Sequence, residues 1–132
     1  MIQSNSRACL PDFVGLPYGF RGADGGVDCW QLVRRAGAVL FGVEFPDPDC
    51  LFLLDAGRVM RENFARCDRV AVPEAGDVVC LTLRGQPLHT GLMLDARSFL
   101  HVLPNSTSRI DRVTDIAWRS RIDGFYRWRA RS

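Results

Sequence analysis

Three side chains in this sequence could carry out covalent chemistry together: Cys29, His89 and His101. Cys29 lies in the stretch Gly25-Gly26-Val27-Asp28-Cys29-Trp30-Gln31, just before an amphipathic segment. The two glycines permit positive φ angles in the entering chain, and Asp28 is a preferred residue for capping the free N–H groups of a helix start. Cys29 is then the first helical residue. The partial positive charge and unpaired N–H groups at that place favour thiolate over thiol, so a cysteine pKa lowered toward neutrality is expected. A nucleophilic thiol also needs a base and a group that orients the base. The chain holds only two histidines, so His89 and His101 are the imidazoles available.

The elements that must position these groups follow from periodicity. Cys29, Val33, Ala36 and Leu40 fall on one face of a helix, with Gln31, Arg34, Arg35 and Ala38 opposite. Gly42 is the expected stop, and Pro46 to Asp49 a turn. A second helix is expected from about Leu51 to Arg66, with Leu53, Ala56, Met60 and Phe64 on one face. Phe13 to Gly26, rich in aromatic residues and glycine, reads as a structured loop that shapes a site.

From Pro73 the pattern changes. Val78 to Leu83 is a short apolar, β-branched run after the turn Pro73-Glu74-Ala75-Gly76-Asp77, which marks a buried strand. His89 to Leu94, Phe99 to Leu103, Ile110 to Val113 and Asp123 to Trp128 read as further strands. Helices first and an antiparallel meander after give an α+β class. The step from His89 to His101 is twelve residues, an even number. An odd-membered loop centred on Asp95 would set them on one face as direct cross-strand neighbours, with β-carbons ~5 Å apart.

Composition narrows the alternatives. With 132 residues, 47% of them hydrophobic and 24% charged, the chain suits one compact domain with a real core. The expected division is an N-terminal arm over residues 1–12 and a single domain over 13–132. The net charge of +2 is spread along the chain without a single-sign block, so no nucleic-acid partner is expected. No signal peptide and no membrane-spanning stretch is found, which predicts synthesis in the cytoplasm without a membrane partner. Five cysteines without CxxC spacing or clustered histidines argue against a disulfide framework and a zinc site. No metal and no cofactor is expected.

Gly26-Val27-Asp28-Cys29 before a helix, then Gly76-Asp77-Val78-Val79, then His89-Thr90-Gly91-Leu92-Met93-Leu94, then Phe99-Leu100-His101, resembles the NlpC-type cysteine peptidases. The similarity runs from about Phe13 to Trp128. It implies a compact papain-like fold, with helices from the N-terminal half packed on an antiparallel sheet. It also implies a catalytic set of Cys29 as nucleophile, His89 as general base and His101 as the polar residue that orients His89. Tyr18 matches a tyrosine beside the nucleophile that helps hold the oxyanion. Trp30 directly after the cysteine, and the ending Arg121-Ile122-Asp123-Gly124-Phe125-Tyr126-Arg127, look like the subset found in phage tail tips and gene-transfer particles.

That resemblance implies hydrolysis of an amide in peptidoglycan stem peptides, at the γ-D-glutamyl to diamino acid link, by a protein carried at a tail tip beside other tail-tip or baseplate proteins and acting in the periplasm or cell wall. Carriage in a particle supplies the route to the wall that the missing signal peptide does not. The alternative is a structural tail-tip or baseplate subunit with little hydrolysis, and a weaker one an acyltransferase using the same thiol and imidazole. Each candidate also has a plainer reading: a lone cysteine is most often core, Asp28 is accounted for as a cap, and Tyr18 could simply pack in its aromatic loop.

Overall fold

The computed structural model describes residues 9–19, 25–45, 67–83 and 86–128. The helix expected from Leu51 to Arg66 lies outside them. Helix α1 spans Cys29–Phe41. It starts where Asp28 predicts: Asp28 Oδ1 accepts the Gln31 N–H at 2.9 Å, and Gln31 Oε1 accepts the Asp28 N–H at 3.3 Å, a reciprocal capping box. It ends at Gly42, left-handed at φ 67°, whose N–H donates to the Ala38 carbonyl. Val33 and Ala36 are buried as expected, but so are Trp30, Leu32 and Gly37, so the buried face is wider than one stripe. The reason lies in Phe45, whose ring folds back onto Gly37 at a position where a β-carbon would collide with it. Phe45 stands edge to face with both Trp30 and Trp128, whose indoles are tilted against each other.

Six strands form one sheet: β1 (Cys67–Val70), β2 (Val78–Leu83), β3 (Gln86–Met93), β4 (Ser98–His101), β5 (Arg109–Arg112) and β6 (Ile122–Trp128). Their order is β1-β6-β2-β3-β4-β5, and every neighbouring pair is antiparallel. The meander β2 to β5 matches the sequence pattern, and β6 returns to the free edge of β2. Strand β1 was not foreseen, because Cys67-Asp68-Arg69-Val70 lacks an apolar alternation. It forms by pairing along β6. The class is α+β, as expected.

The sheet is buried on both faces. Val78, Cys80, Leu92 and Leu100 pack with α1, whereas Val79, Leu81, Met93 and Phe99 pack with Trp118 on the far side. That is why Val78 to Leu81 reads as a continuous apolar run rather than an alternating one. The buried Asp77 is gripped by Arg127 through Nε at 3.0 Å and a terminal nitrogen at 2.9 Å, which ties β6 to the turn before β2.

The β3–β4 hairpin corrects one expectation. Leu92 pairs with Leu100 and Met93 with Phe99, so the centre of symmetry is Ala96 rather than Asp95. The Asp95 carboxylate accepts the N–H groups of Arg97 and Ser98, each at 2.8 Å, and this side-chain turn sets the loop. The loop remains odd-membered. His89 and His101 therefore share a face as predicted, but as diagonal rather than direct partners.

Before the helix, Leu10–Phe13 forms a turn of 3-10 helix, with Leu10 and Phe13 half-buried against the core. Ser108 stitches this segment to the sheet: its hydroxyl donates to the Phe13 carbonyl at 2.6 Å and accepts the Leu16 N–H at 2.9 Å.

Candidate active site

Cys29 is the first residue of α1, where the sequence places it. The chain leading to it runs beside residues 17–19: Val27 N–H donates to the Pro17 carbonyl at 2.9 Å, and Gly19 N–H to the Val27 carbonyl at 3.1 Å. Only glycine fits at position 26, since a β-carbon there would lie 2.7 Å from the Pro17 oxygen and the Gly19 nitrogen. Gly25 is the residue with positive φ, at 75°. This close approach brings Tyr18 alongside Val27, two residues before the cysteine. Burial raises the Tyr18 pKa, and negative charge on Cys29 and Asp28 raises it further, so the phenol stays protonated and able to donate.

The thiol differs from expectation. Burial pushes the Cys29 pKa up and the Asp28 carboxylate adds to the rise, against donors from the Thr90 backbone and hydroxyl and the Trp30 N–H that pull it down. The helix start does supply an N–H, but desolvation of the half-buried sulfur and the charge of the capping acid outweigh it. Thr90 is fully buried, and apart from its approach to the sulfur its Oγ1 makes no hydrogen bond among the described residues. Its side chain shares the helix side of β3 with Leu92, because Cys80 pairs with Thr90 and Val78 with Leu92.

The two histidines are brought together as the twelve-residue step requires. His89 Nε2 and His101 Nδ1 are 2.8 Å apart, with both side chains buried. His101 Nε2 lies 2.8 Å from Asp111 Oδ2. The same oxygen accepts Arg109 Nε–H at 2.9 Å and Trp118 Nε1–H at 3.0 Å. Trp118 stacks over His89 and stands edge-on to His101. Burial lowers the His89 pKa to about 3, with His101 as the second cause. Burial also lowers that of His101, against the pull of Asp111. For Asp111, burial works to raise the pKa, but hydrogen bonds from His101 and Arg109 prevail and hold it below the usual carboxylate range.

The Cys29 sulfur thus reaches β3 at Thr90, the chain neighbour of His89. Among the described residues no hydrogen bond joins the sulfur to His89. Both nitrogens of His101 are engaged in a line of hydrogen bonds, so the cluster is a relay rather than a converging set of metal ligands. Asp111, Trp118 and Thr90 were missed in the sequence. Asp111 stands amid arginines in Arg109-Ile110-Asp111-Arg112 and reads as a surface charge until the β4–β5 register, His101 opposite Arg109, places it diagonal to His101.

A cysteine at a helix start, two histidines twelve residues apart on neighbouring strands, and one antiparallel sheet all lie within residues 15–127, which one family model matches, that of the NlpC/P60 family. The chain belongs to the NlpC/P60 family. Solved structures agree in fold. An NLP/P60-family protein described as similar to lipoprotein, from Staphylococcus aureus subsp. aureus Mu50, superposes with a TM-score of 0.61 at 19% identity, covering 88% of this chain and 37% of its own. The P60 domain of an antigen from M. avium subspecies paratuberculosis gives 0.58 at 17% identity, covering 89% and 87%. The NlpC/P60 chain described here thus spans little more than a third of the staphylococcal protein's length. Among curated proteins none is significantly similar to it.

Proposed function

We propose that this NlpC/P60 protein is a cysteine peptidase that cleaves peptidoglycan stem peptides, with Cys29 as nucleophile, His89 as general base and acid, and His101 as the residue that holds His89. The observation that carries the reading is the 2.8 Å contact from His89 Nε2 to His101 Nδ1. It occupies Nε2 of His89 and leaves Nδ1 as its free ring atom. Catalysis then requires the sulfur, which sits by Thr90 on the helix side of β3, and His89, whose ring packs with Trp118 on the other, to meet at the end of the sheet. A raised thiol pKa and a strongly lowered imidazole pKa mean that both groups rest neutral near pH 7. The Sγ–H proton then passes to His89 as sulfur attacks the carbonyl carbon, rather than beforehand.

The tetrahedral oxyanion forms beside the start of α1, where the Cys29 N–H and the protonated Tyr18 phenol are the donors at hand. Collapse expels the amine, which takes the proton back from His89. Water, deprotonated by His89, then hydrolyses the thioester. By resemblance the bond is the γ-D-glutamyl to diamino acid link, and the setting a phage or phage-like tail tip with neighbouring baseplate proteins. The setting rests on Trp30 following Cys29 and on the segment Arg121 to Arg127. Purified particles tested for the protein, and for muropeptide hydrolysis lost in Cys29→Ala, check both parts. Particles that contain the protein, with equal hydrolysis by wild type and Cys29→Ala, would instead favour the purely structural subunit.

A further inference from the structure

We propose that Asp111 is a positioning residue of this site: its carboxylate fixes the proton on Nε2 of His101, and through it the proton on Nε2 of His89, leaving the His89 Nδ1 lone pair to act as base. The inference rests on the peptidase reading for its kinetic consequence, but not for its chemical content.

An ionised carboxylate can only accept hydrogen bonds. At 2.8 Å from Asp111 Oδ2, His101 Nε2 must therefore carry the hydrogen. A neutral His101 protonated there has its lone pair on Nδ1. That atom is 2.8 Å from His89 Nε2, so His89 must in turn donate from Nε2. One acceptor at the end of the line thus sets both tautomers. Without it the line could run the other way, with His101 donating from Nδ1 to His89 Nε2 and the His89 proton placed on Nδ1, where it would block proton abstraction.

Two further features fit this role. The oxygen that receives His101 also receives Trp118 Nε1–H and Arg109 Nε–H, so it is held on three sides. Trp118 is itself only 5% exposed and lies against both rings, which keeps water from competing for the same hydrogen bonds. The plainer role, a surface ion pair with Arg109, is weak by comparison, since that arginine side chain is 51% exposed and such pairs contribute little.

The chain contains only two histidines, so long-range 1H–15N correlation NMR of the imidazole rings reads both tautomers directly. In the wild-type protein at neutral pH, both His89 and His101 are expected as Nε2–H tautomers. A His101 protonated on Nδ1 overturns the proposal, whether or not the protein cleaves peptides. Asp111→Ala, with folding verified by circular dichroism, is expected to move both rings toward the Nδ1–H form and to lower kcat on a muropeptide roughly 10- to 100-fold with little change in KM. Arg109→Ala, which removes one of the three donors to that oxygen but leaves the carboxylate in place, is expected to move both readings in the same direction by less than Asp111→Ala does. Folded Asp111→Ala with unchanged tautomers overturns the proposal. A wild type with the expected tautomers and no hydrolysis would leave the positioning role standing and count against the peptidase reading alone.

Discussion

The imidazoles of His89 and His101 meet nitrogen to nitrogen at 2.8 Å although the two residues are not opposite one another in the β3–β4 ladder. Their rings lean across a diagonal, with centroids 5.1 Å apart, a span long side chains can bridge. His101 then reaches past His89 to Asp111, so both of its ring nitrogens are engaged in the middle of a line, the arrangement expected of an orienting residue in the proposed mechanism.

That placement separates the two histidines by substitution. A glutamine at 101 offers an amide oxygen to the His89 Nε2–H and an amide N–H to Asp111. His101→Gln is therefore expected to keep activity within about tenfold of wild type, and His101→Ala to lose roughly 100-fold or more. His89→Gln should lose essentially all activity, because an amide does not titrate. Steady-state kinetics of the three variants on one muropeptide check this; equal inactivity of His101→Gln and His89→Gln would contradict the orienting role.

How much of this was legible follows the range of the interactions. The Asp28 cap, Cys29 at the first helical position and Gly42 at the stop are local, and each was readable from the sequence. The shared face of the histidines was readable too, because it depends only on the parity of a loop. Their diagonal offset was not, since it depends on the Asp95 side chain capturing two N–H groups. Asp111 and Thr90 become visible only once strand register is known. The Cys29 pKa was misjudged because helix position is local whereas burial is a property of the whole fold.

Thr90 supplies a test of that last point. Its backbone and hydroxyl both lower the Cys29 pKa, and its hydroxyl has no other partner among the described residues. Thr90→Val is expected to shift the alkylation pH profile of Cys29 upward and to reduce kcat, while Thr90→Ser restores both. An unchanged profile in Thr90→Val would show that the hydroxyl does not serve the sulfur.

Because the sulfur's surroundings hold it as a thiol, its reactivity should depend on His89. Iodoacetamide at pH 7 is expected to modify Cys29 at least about tenfold faster in wild type than in His89→Gln. The exposed Cys9 should react equally in both proteins. Mass mapping of the labelled peptides checks this, and equal rates at Cys29 would mean that the thiolate forms without the histidine.

Acid should destabilise the fold through the same histidine. Folded His89 has its pKa lowered to about 3 from the ordinary 6.5, so its contribution is fully present above about pH 6.5. It is lost as pH falls from there toward 3, because the unfolded chain takes up a proton that the folded one refuses. The loss should reach a few kcal/mol, roughly 1.4 kcal/mol per pH unit across that window. Urea unfolding at pH 7 and pH 5 is expected to show this drop in wild type and a smaller one in His89→Gln; equal slopes would contradict it.

Packing between α1 and the residue that covers it is tested at Gly37. A β-carbon there meets the Phe45 ring, so Gly37→Ala should cost about 1–3 kcal/mol through forced repacking, despite the better helix propensity of alanine. Chemical denaturation checks it, and a stabilised variant would show that Phe45 moves aside freely.

The central claim is that Cys29 and His89 cleave a peptide bond in the cell wall. Purified muropeptides incubated with wild type, Cys29→Ala and His89→Gln, each verified as folded and analysed by mass spectrometry, test it most directly. The expected result is wild-type products separated at the γ-D-glutamyl to diamino acid link and none from either variant. Muropeptides left intact by folded wild type, or cleaved equally well by Cys29→Ala, would contradict it.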